Sequence, residues 1–180
     1  TLASCAIAEV CARTLFEYGQ AAAQAVIANV CDDALERVVE ANTLLSGIGF
    51  ESGGLALAHP MALAFTQIDA IHHDYLHGEM VAMGTLIQLA LEDAAEAAEV
   101  AHFFARIGLP IHLAQLSLSP TDTTAMDTII ESALKNRNAH HMPMSVTADK
   151  LRAAMLDANA LGLQVAAEAG DAAYRRVHSR

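Results

Sequence analysis

Apolar residues recur with the period of an α-helix along nearly the whole chain. The first stripe consists of Leu2, Cys5, Ala6, Val10, Leu15 and Phe16. Gly19 is a candidate end for this helix. No segment alternates between apolar and polar residues for long, and the β-branched residues are scattered. The pattern therefore predicts an all-α fold, a helical bundle.

Further helices are predicted from the same period and from residues that favour helix ends. They cover AAAQAVIANV up to Cys31, ALERVVEANTLLSG, GLALAHPMALAF, GEMVAMGTLIQLALED, residues 94–107, SLSPTDTTAMDTIIESALKN and the run after Thr147. The candidate caps are Asp32 or Asp33, the Ser119–Pro120 pair, and Thr147. Two segments are predicted to be irregular, GIGFESGG as a flexible joint and IDAIHHDYLHG as a loop.

Length and charge restrict the classes of function. The 180 residues predict a single domain over 1–180. A formal charge of −11, from 10 basic and 21 acidic side chains, argues against nucleic acid or an anionic membrane as a partner. There is no signal-peptide pattern and no apolar run of 18 residues. We therefore expect a cytoplasmic protein, whose three cysteines, Cys5, Cys11 and Cys31, fill buried helix faces.

The chain contains no nucleotide-binding motif. It has no GxGxxG, no P-loop and no βαβ unit, so no NAD-binding domain is visible within it. The hydrophobic fraction of 54% instead predicts a well-buried core or a face that meets another subunit.

Four of the nine histidines lie between residues 53 and 79. His59 falls in a predicted apolar helix and His77 at the start of the next, so the turn between them could bring the two rings together. Imidazole suits zinc or ferrous iron. A hydrogen-bonded core histidine is the simpler explanation for His59 alone. A local pair of His73 and His77 requires a helix through HHDYLHG.

Residues 36–92 resemble the metal-binding half of the glycerol dehydrogenase family, within the iron-type alcohol dehydrogenase superfamily. The similarity rests on GFESGGLA, then AH, then HGE followed by VAMGTLIQL, and extends through IGLPIHLAQL to HHMP and the final helix. It implies that His59 and His77 are two of three metal ligands, that Phe50 lines a polyol pocket, and that the metal is zinc, with iron possible. In the family, a zinc-bound hydroxyl of glycerol or a similar vicinal diol is oxidised, giving dihydroxyacetone, and NAD accepts the hydride.

Three departures limit what this resemblance implies. The family's N-terminal Rossmann-like NAD domain and the ligand Asp are not in this sequence. Leu63 occupies the place of a second histidine usually found four residues after the first. Pro60 directly follows His59 and predicts a kink or helix break at the ligand. We therefore expect this chain alone to be inactive and to form a homo-oligomer.

Two alternatives stay open. One is a non-catalytic helical module for self-association with a vestigial metal site. The other is an independent enzyme with a different cofactor. No Ser-His-Asp order, reactive cysteine or carboxylate pair in the sequence supports this alternative.

Overall fold

The computed structural model describes residues 1–179, which form α-helices joined by short turns, with no strand among them. This confirms the all-α prediction. The chain forms two compact units, residues 1–54 and the residues from 55 onwards. The expectation of one domain over 1–180 stays a prediction.

The first unit is built on a long helix, α1 (Leu2–Ala28). A capping box between Thr1 and Ser4 stabilises the start of this helix. The predicted end at Gly19 is wrong, because the helix continues to Asn29, whose left-handed backbone (φ 54°) closes it. A single glycine inside a helix costs only about 1 kcal/mol relative to alanine. The alanine-rich residues after Gly19 are the best helix formers and offset that cost.

The second half of this unit is one nearly continuous helical run. Helix α2 (Asp33–Glu40) begins at Asp32, whose carboxylate accepts a hydrogen bond from the Leu35 amide at 2.9 Å, as the cap prediction required. A π-helical turn (Ala41–Leu45) leads into α3 (Ser46–Gly53). The predicted flexible joint is therefore helical up to Gly54, which has a φ of 79°. Helix α3 packs on α1, and a Cβ atom built on Gly49 would lie in ordinary van der Waals contact with Ile7.

The cysteines do not fill a core. Cys5 and Cys31 are exposed and Cys11 is partly buried, so the expectation of three buried cysteines is wrong. Burial raises the pKa of the Cys11 thiol. Only Ser4, Ala22, Ala25 and Ala41 are fully buried among residues 1–54, so this unit has little interior for a cysteine to enter.

The second unit contains the hydrophobic core. Its helices are α4 (Ala58–Phe65), α5 (Asp69–Asp74), α6 (His77–Leu91), α7 (Ala97–Ile107), α8 (Thr123–Lys135), α9 (Ala148–Ala169) and α10 (Ala172–His178), with 3₁₀ turns at Leu113–Leu116 and Arg137–His140. Helix α6 is central and packs against α4, α7 and α9, and α4 also packs against α8. Large apolar side chains between these helices are fully buried, among them Leu57, Met61, Phe65, Met83, Leu86, Ile87, Met126 and Ile129.

Several boundaries in this unit differ from the predictions. Helix α4 begins only at Ala58 rather than at Gly54, and the predicted last helix is divided at Gly170 into α9 and α10. The predicted loop IDAIHHDYLHG holds α5 and the first residues of α6, because buried Ile71 anchors the short helix to the core. Within this segment, Ile68, Tyr75 and Leu76 are extended. Helix α8 is capped by Asp122 rather than at Ser119–Pro120, whereas the predicted cap Thr147 does begin α9.

None of the helices within residues 1–179 is both long and apolar enough to cross a membrane.

Helices α4 and α6 approach each other closely at one glycine. A Cβ atom on Gly84 would overlap the carbonyl oxygen of Ala58 and lie 3.2 Å from the Ala58 Cα. One turn further along α6, the Gln88 side-chain oxygen accepts a hydrogen bond from the Ala58 amide at 3.0 Å. The start of α4 is therefore attached directly to the middle of α6.

We predict that Gly84→Ala lowers the free energy of unfolding by about 1–3 kcal/mol, the usual cost of overpacking. Gly78→Ala is the matched control, because Gly78 lies in the same helix and has open space where its Cβ would be. Urea denaturation of both variants beside the parent measures the difference. Equal stability of the two variants would contradict the close approach of α4 to α6.

Candidate metal centre

His59 and His77 come together at the starts of two helices. His59 is the second residue of α4 and His77 is the first residue of α6. Their ring centroids lie 5.8 Å apart, with an angle of 52° between the ring planes. A zinc ion held by two imidazoles separates the ring centres by about 5–6 Å, because each Zn–N bond is about 2.0–2.1 Å long. The measured separation of the two ring centres lies within this range.

The protonation state of His59 suits a metal ligand. Burial lowers the pKa of His59, and the neighbouring His77 lowers it further. The imidazole is therefore neutral at pH 7, and neutral imidazole is the form that binds metal. His77 is exposed, so the pair opens to the surface on that side.

Pro60 does not break the helix at the ligand. It is the third residue of α4, in the first turn, and the first helical hydrogen bond runs from the Met61 amide to the Leu57 carbonyl at 3.0 Å. Amides in the first turn have no partner inside the helix, so a proline there costs no hydrogen bond. The predicted kink is wrong for this reason.

The alternative pair of His73 and His77 does not share a helical face. His73 lies in α5, which ends at Asp74, and the extended residues Tyr75 and Leu76 separate it from α6. Instead, the His73 ring meets that of His72 edge to face, at 5.1 Å between centroids. Over residues 1–179, no group of three or more His, Cys, Asp or Glu side chains is placed to hold a metal ion. Among the described residues, the candidate site therefore consists of two imidazoles, those of His59 and His77.

Two other positions from the resemblance have clear surroundings. Phe50 lies in α3 of the first unit and is 50% exposed; its role in a polyol pocket stays a prediction. Leu63, one turn after His59 in α4, is 52% exposed. An apolar side chain therefore lies on the surface where the family usually has a second histidine.

Several residues that support the pair were missed from the sequence. Glu79 is buried and accepts a hydrogen bond from the Leu76 amide at 2.7 Å; an acid three residues after a helix start is the signal that could have revealed it. Nδ1 of His141, which is exposed, lies 3.1 Å from the Leu55 carbonyl oxygen, just before α4. The contact of Gln88 with Ala58 spans 30 residues, and no local pattern predicts it.

Comparison with known proteins gives several glycerol dehydrogenases among the relatives. No family model matches the chain. The glycerol dehydrogenase of Escherichia coli O6:H1 is 47% identical over 165 residues, which cover 90% of this chain and 45% of that protein. That of Pseudomonas putida is 47% identical over 159 residues, covering 87% and 43%. A glycolaldehyde reductase of Halobacterium salinarum is 40% identical over 162 residues, covering 88% and 44%.

Solved structures agree with the sequences. A probable glycerol dehydrogenase from Sinorhizobium meliloti 1021 superposes with a TM-score of 0.86 at 36% identity, covering 91% of this chain and 46% of that one. The glycerol dehydrogenase of Schizosaccharomyces pombe gives a TM-score of 0.86 at 34% identity, covering 94% and 44%. The chain spans less than half the length of each of these relatives. Sequence and fold together show that it belongs to the glycerol dehydrogenase family and corresponds to the helical C-terminal part of those proteins.

Proposed function

We propose that this chain supplies two histidine ligands, His59 and His77, to the catalytic metal ion of a glycerol dehydrogenase. The observation that carries the proposal is the 5.8 Å separation of the two rings, which suits a shared ion. The neutral state that burial favours for His59 supports it. Zinc is the proposed metal, with ferrous iron as the alternative, since imidazole suits both.

The remaining ligands come from outside these two helices. A catalytic zinc commonly takes three protein ligands and leaves one position open. Residues 1–179 place two such groups together and no third. The family resemblance implies an Asp as the third ligand, and this Asp is not in the present sequence.

The proposed reaction of the whole protein is the oxidation of glycerol, or a similar vicinal diol, to a ketone such as dihydroxyacetone, with NAD as the hydride acceptor. Bound zinc would supply Lewis-acid chemistry, which lowers the pKa of a substrate hydroxyl. The two histidines of this chain would hold and orient that ion, and Phe50 would line the polyol pocket. The chain alone is expected to be inactive, because it contains no nucleotide-binding motif.

We predict that the chain binds about one zinc ion when zinc is supplied, more weakly than a site with three protein ligands, and that His59→Ala and His77→Ala each lose this binding. Loss of a residue that merely supports a ligand lowers metal affinity by about 10–100-fold. Each of these substitutions removes a ligand itself, so the zinc affinity should fall further. Metal content by plasma mass spectrometry and a zinc titration measure this. His72→Ala is the control, because it removes an exposed imidazole from nearby α5.

Either of two results would count against the site. One is a parent chain that binds no zinc even at high zinc concentration. The other is a set of three alanine variants that bind zinc like the parent, which would place the ion elsewhere.

The lowered pKa of His59 also predicts a pH effect on the metal-free chain. The folded pKa lies below the ordinary histidine value of about 6.5, so over the window between the two the unfolded chain binds more protons. Stability from this group is therefore complete above about pH 6.5 and is lost as the pH falls through the window. Urea denaturation at about pH 7.5 and about pH 5 should show a smaller loss for His59→Gln than for the parent. An equal loss of stability in the parent and in His59→Gln would show that His59 is protonated as easily in the folded state as in the unfolded state.

Self-association is the second candidate function, and exposed apolar side chains in the first unit favour it. Val26 is 62% exposed, and Ile27 and Val30, near it at the end of α1, are more than half exposed. Apolar side chains grouped on a surface commonly meet another chain. A homo-oligomer is therefore proposed whether or not the metal site is intact.

We predict that the sedimentation coefficient of the parent rises with protein concentration because these side chains meet between copies. The double variant V26D/I27D should weaken this rise, whereas Leu163→Asp, at an exposed position on α9, should not. Sedimentation velocity measures all three. A parent that stays monomeric at about 100 μM would rule out self-association as the function.

A further inference from the structure

A buried carboxylate holds the backbone directly before His77. Glu79 is only 7% exposed, although acidic residues are seldom fully buried without a partner. Its Oε2 accepts a hydrogen bond from the Leu76 amide at 2.7 Å. Leu76 is the residue before His77, so this bond fixes the peptide that leads into the histidine. Charge-assisted bonds of this kind are about twice as strong as neutral ones.

The other oxygen of Glu79 meets a histidine from the far end of the chain. Nε2 of His178, the last residue of α10, lies 2.7 Å from Glu79 Oε1. This separation is within ion-pair range when the imidazole is protonated, and Nε2 makes no aligned hydrogen bond. Both side chains are mostly buried, His178 being 20% exposed. A close pair shielded from solvent in this way is screened less than a surface pair.

His178 is itself held in place. Its Nδ1 lies 2.8 Å from the Tyr174 carbonyl and donates to it. The Tyr174 ring stacks on the imidazole at 3.9 Å between centroids, and the Tyr174 hydroxyl donates to the Gln115 carbonyl. Helix α10 is thus attached to the body of the second unit and presents His178 to Glu79 in one orientation.

We propose that Glu79 and His178 are positioning residues for His77. The carboxylate holds the Leu76 amide, and the imidazole keeps the carboxylate in place. An open cavity of about 260 Å³ borders Glu79 and His178, so without His178 the carboxylate has room to turn away from Leu76. This inference rests on the proposed function, in which His77 is a metal ligand. Residues that orient metal-binding histidines typically affect metal affinity by about 10–100-fold.

A purely structural role for the same pair makes a different prediction. If Glu79 only stabilises the start of α6, its loss would lower the stability of the chain and leave the affinity for zinc unchanged. Zinc affinity therefore separates the two roles. The variant Glu79→Gln tests whether the bond or the charge matters, because its amide oxygen can still accept from Leu76 while the negative charge is gone.

The experiment compares His178→Ala, Glu79→Ala and Glu79→Gln with the parent and with the control His72→Ala. Zinc affinity is measured by competition with a chromophoric chelator, and hydrogen exchange of the Leu76 amide is measured on the metal-free chain. We expect His178→Ala and Glu79→Ala to bind zinc about 10–100-fold more weakly and to exchange the Leu76 amide faster. Glu79→Gln should stay within about threefold of the parent in affinity, because its amide oxygen can accept from Leu76 and its amide N–H can donate to Nε2 of His178. The control His72→Ala should match the parent in both measurements.

The possible failures are distinguishable. A parent chain that binds no zinc contradicts the proposed function, and the role of the pair in metal binding falls with it. A parent that binds zinc, with His178→Ala and Glu79→Ala unchanged in affinity, overturns the positioning role alone. Glu79→Gln as weak as Glu79→Ala would also overturn it, because the bond to Leu76 would not be what matters.

Discussion

The candidate metal centre depends on one backbone contact, the approach of α4 to α6 at Gly84. No side chain other than hydrogen fits between Gly84 and the Ala58 carbonyl, and Gln88 binds the Ala58 amide from the same face of α6. Both contacts hold the residue directly before His59. The other histidine is the first residue of α6 itself. The distance between the two rings is therefore set by how closely two backbones pack, and close packing resists displacement more than long side chains do.

Helix starts serve the site because their geometry is reproducible and their first amides are unpaired. The Ala58 amide donates a hydrogen bond to the Gln88 side chain, and the Leu76 amide donates one to Glu79. Each histidine therefore comes directly after a residue whose backbone is held by a hydrogen bond. The same absence of partners in a first turn makes Pro60 harmless next to His59. Polar side chains that satisfy helix ends thereby also position the two ligands.

Much of the fold could be predicted from the chain because helix formation is mainly local. The caps at Asp32 and Thr147 and the apolar period of α6 came directly from residue type and spacing. The errors fall where a packing contact outweighs a local preference. Gly19 stays helical among alanines, GIGFESG packs on α1, and Ile71 draws part of a predicted loop into the core. These errors arose because glycine and histidine residues carry little information about the tertiary contacts that a segment will make.

By itself, the sequence determined the helical class, the family and the identity of the two candidate ligands, since these follow from residue types in a specific order. Only the tertiary structure decided that His59 and His77 face each other, that His73 does not join them, and that Glu79 meets His178. The physical reason is separation along the chain. Gln88 acts on Ala58 across 30 residues, and His178 reaches Glu79 from the last helix. Such contacts exist only once the core around α6 has assembled, because nothing in the local sequence of either partner requires the other.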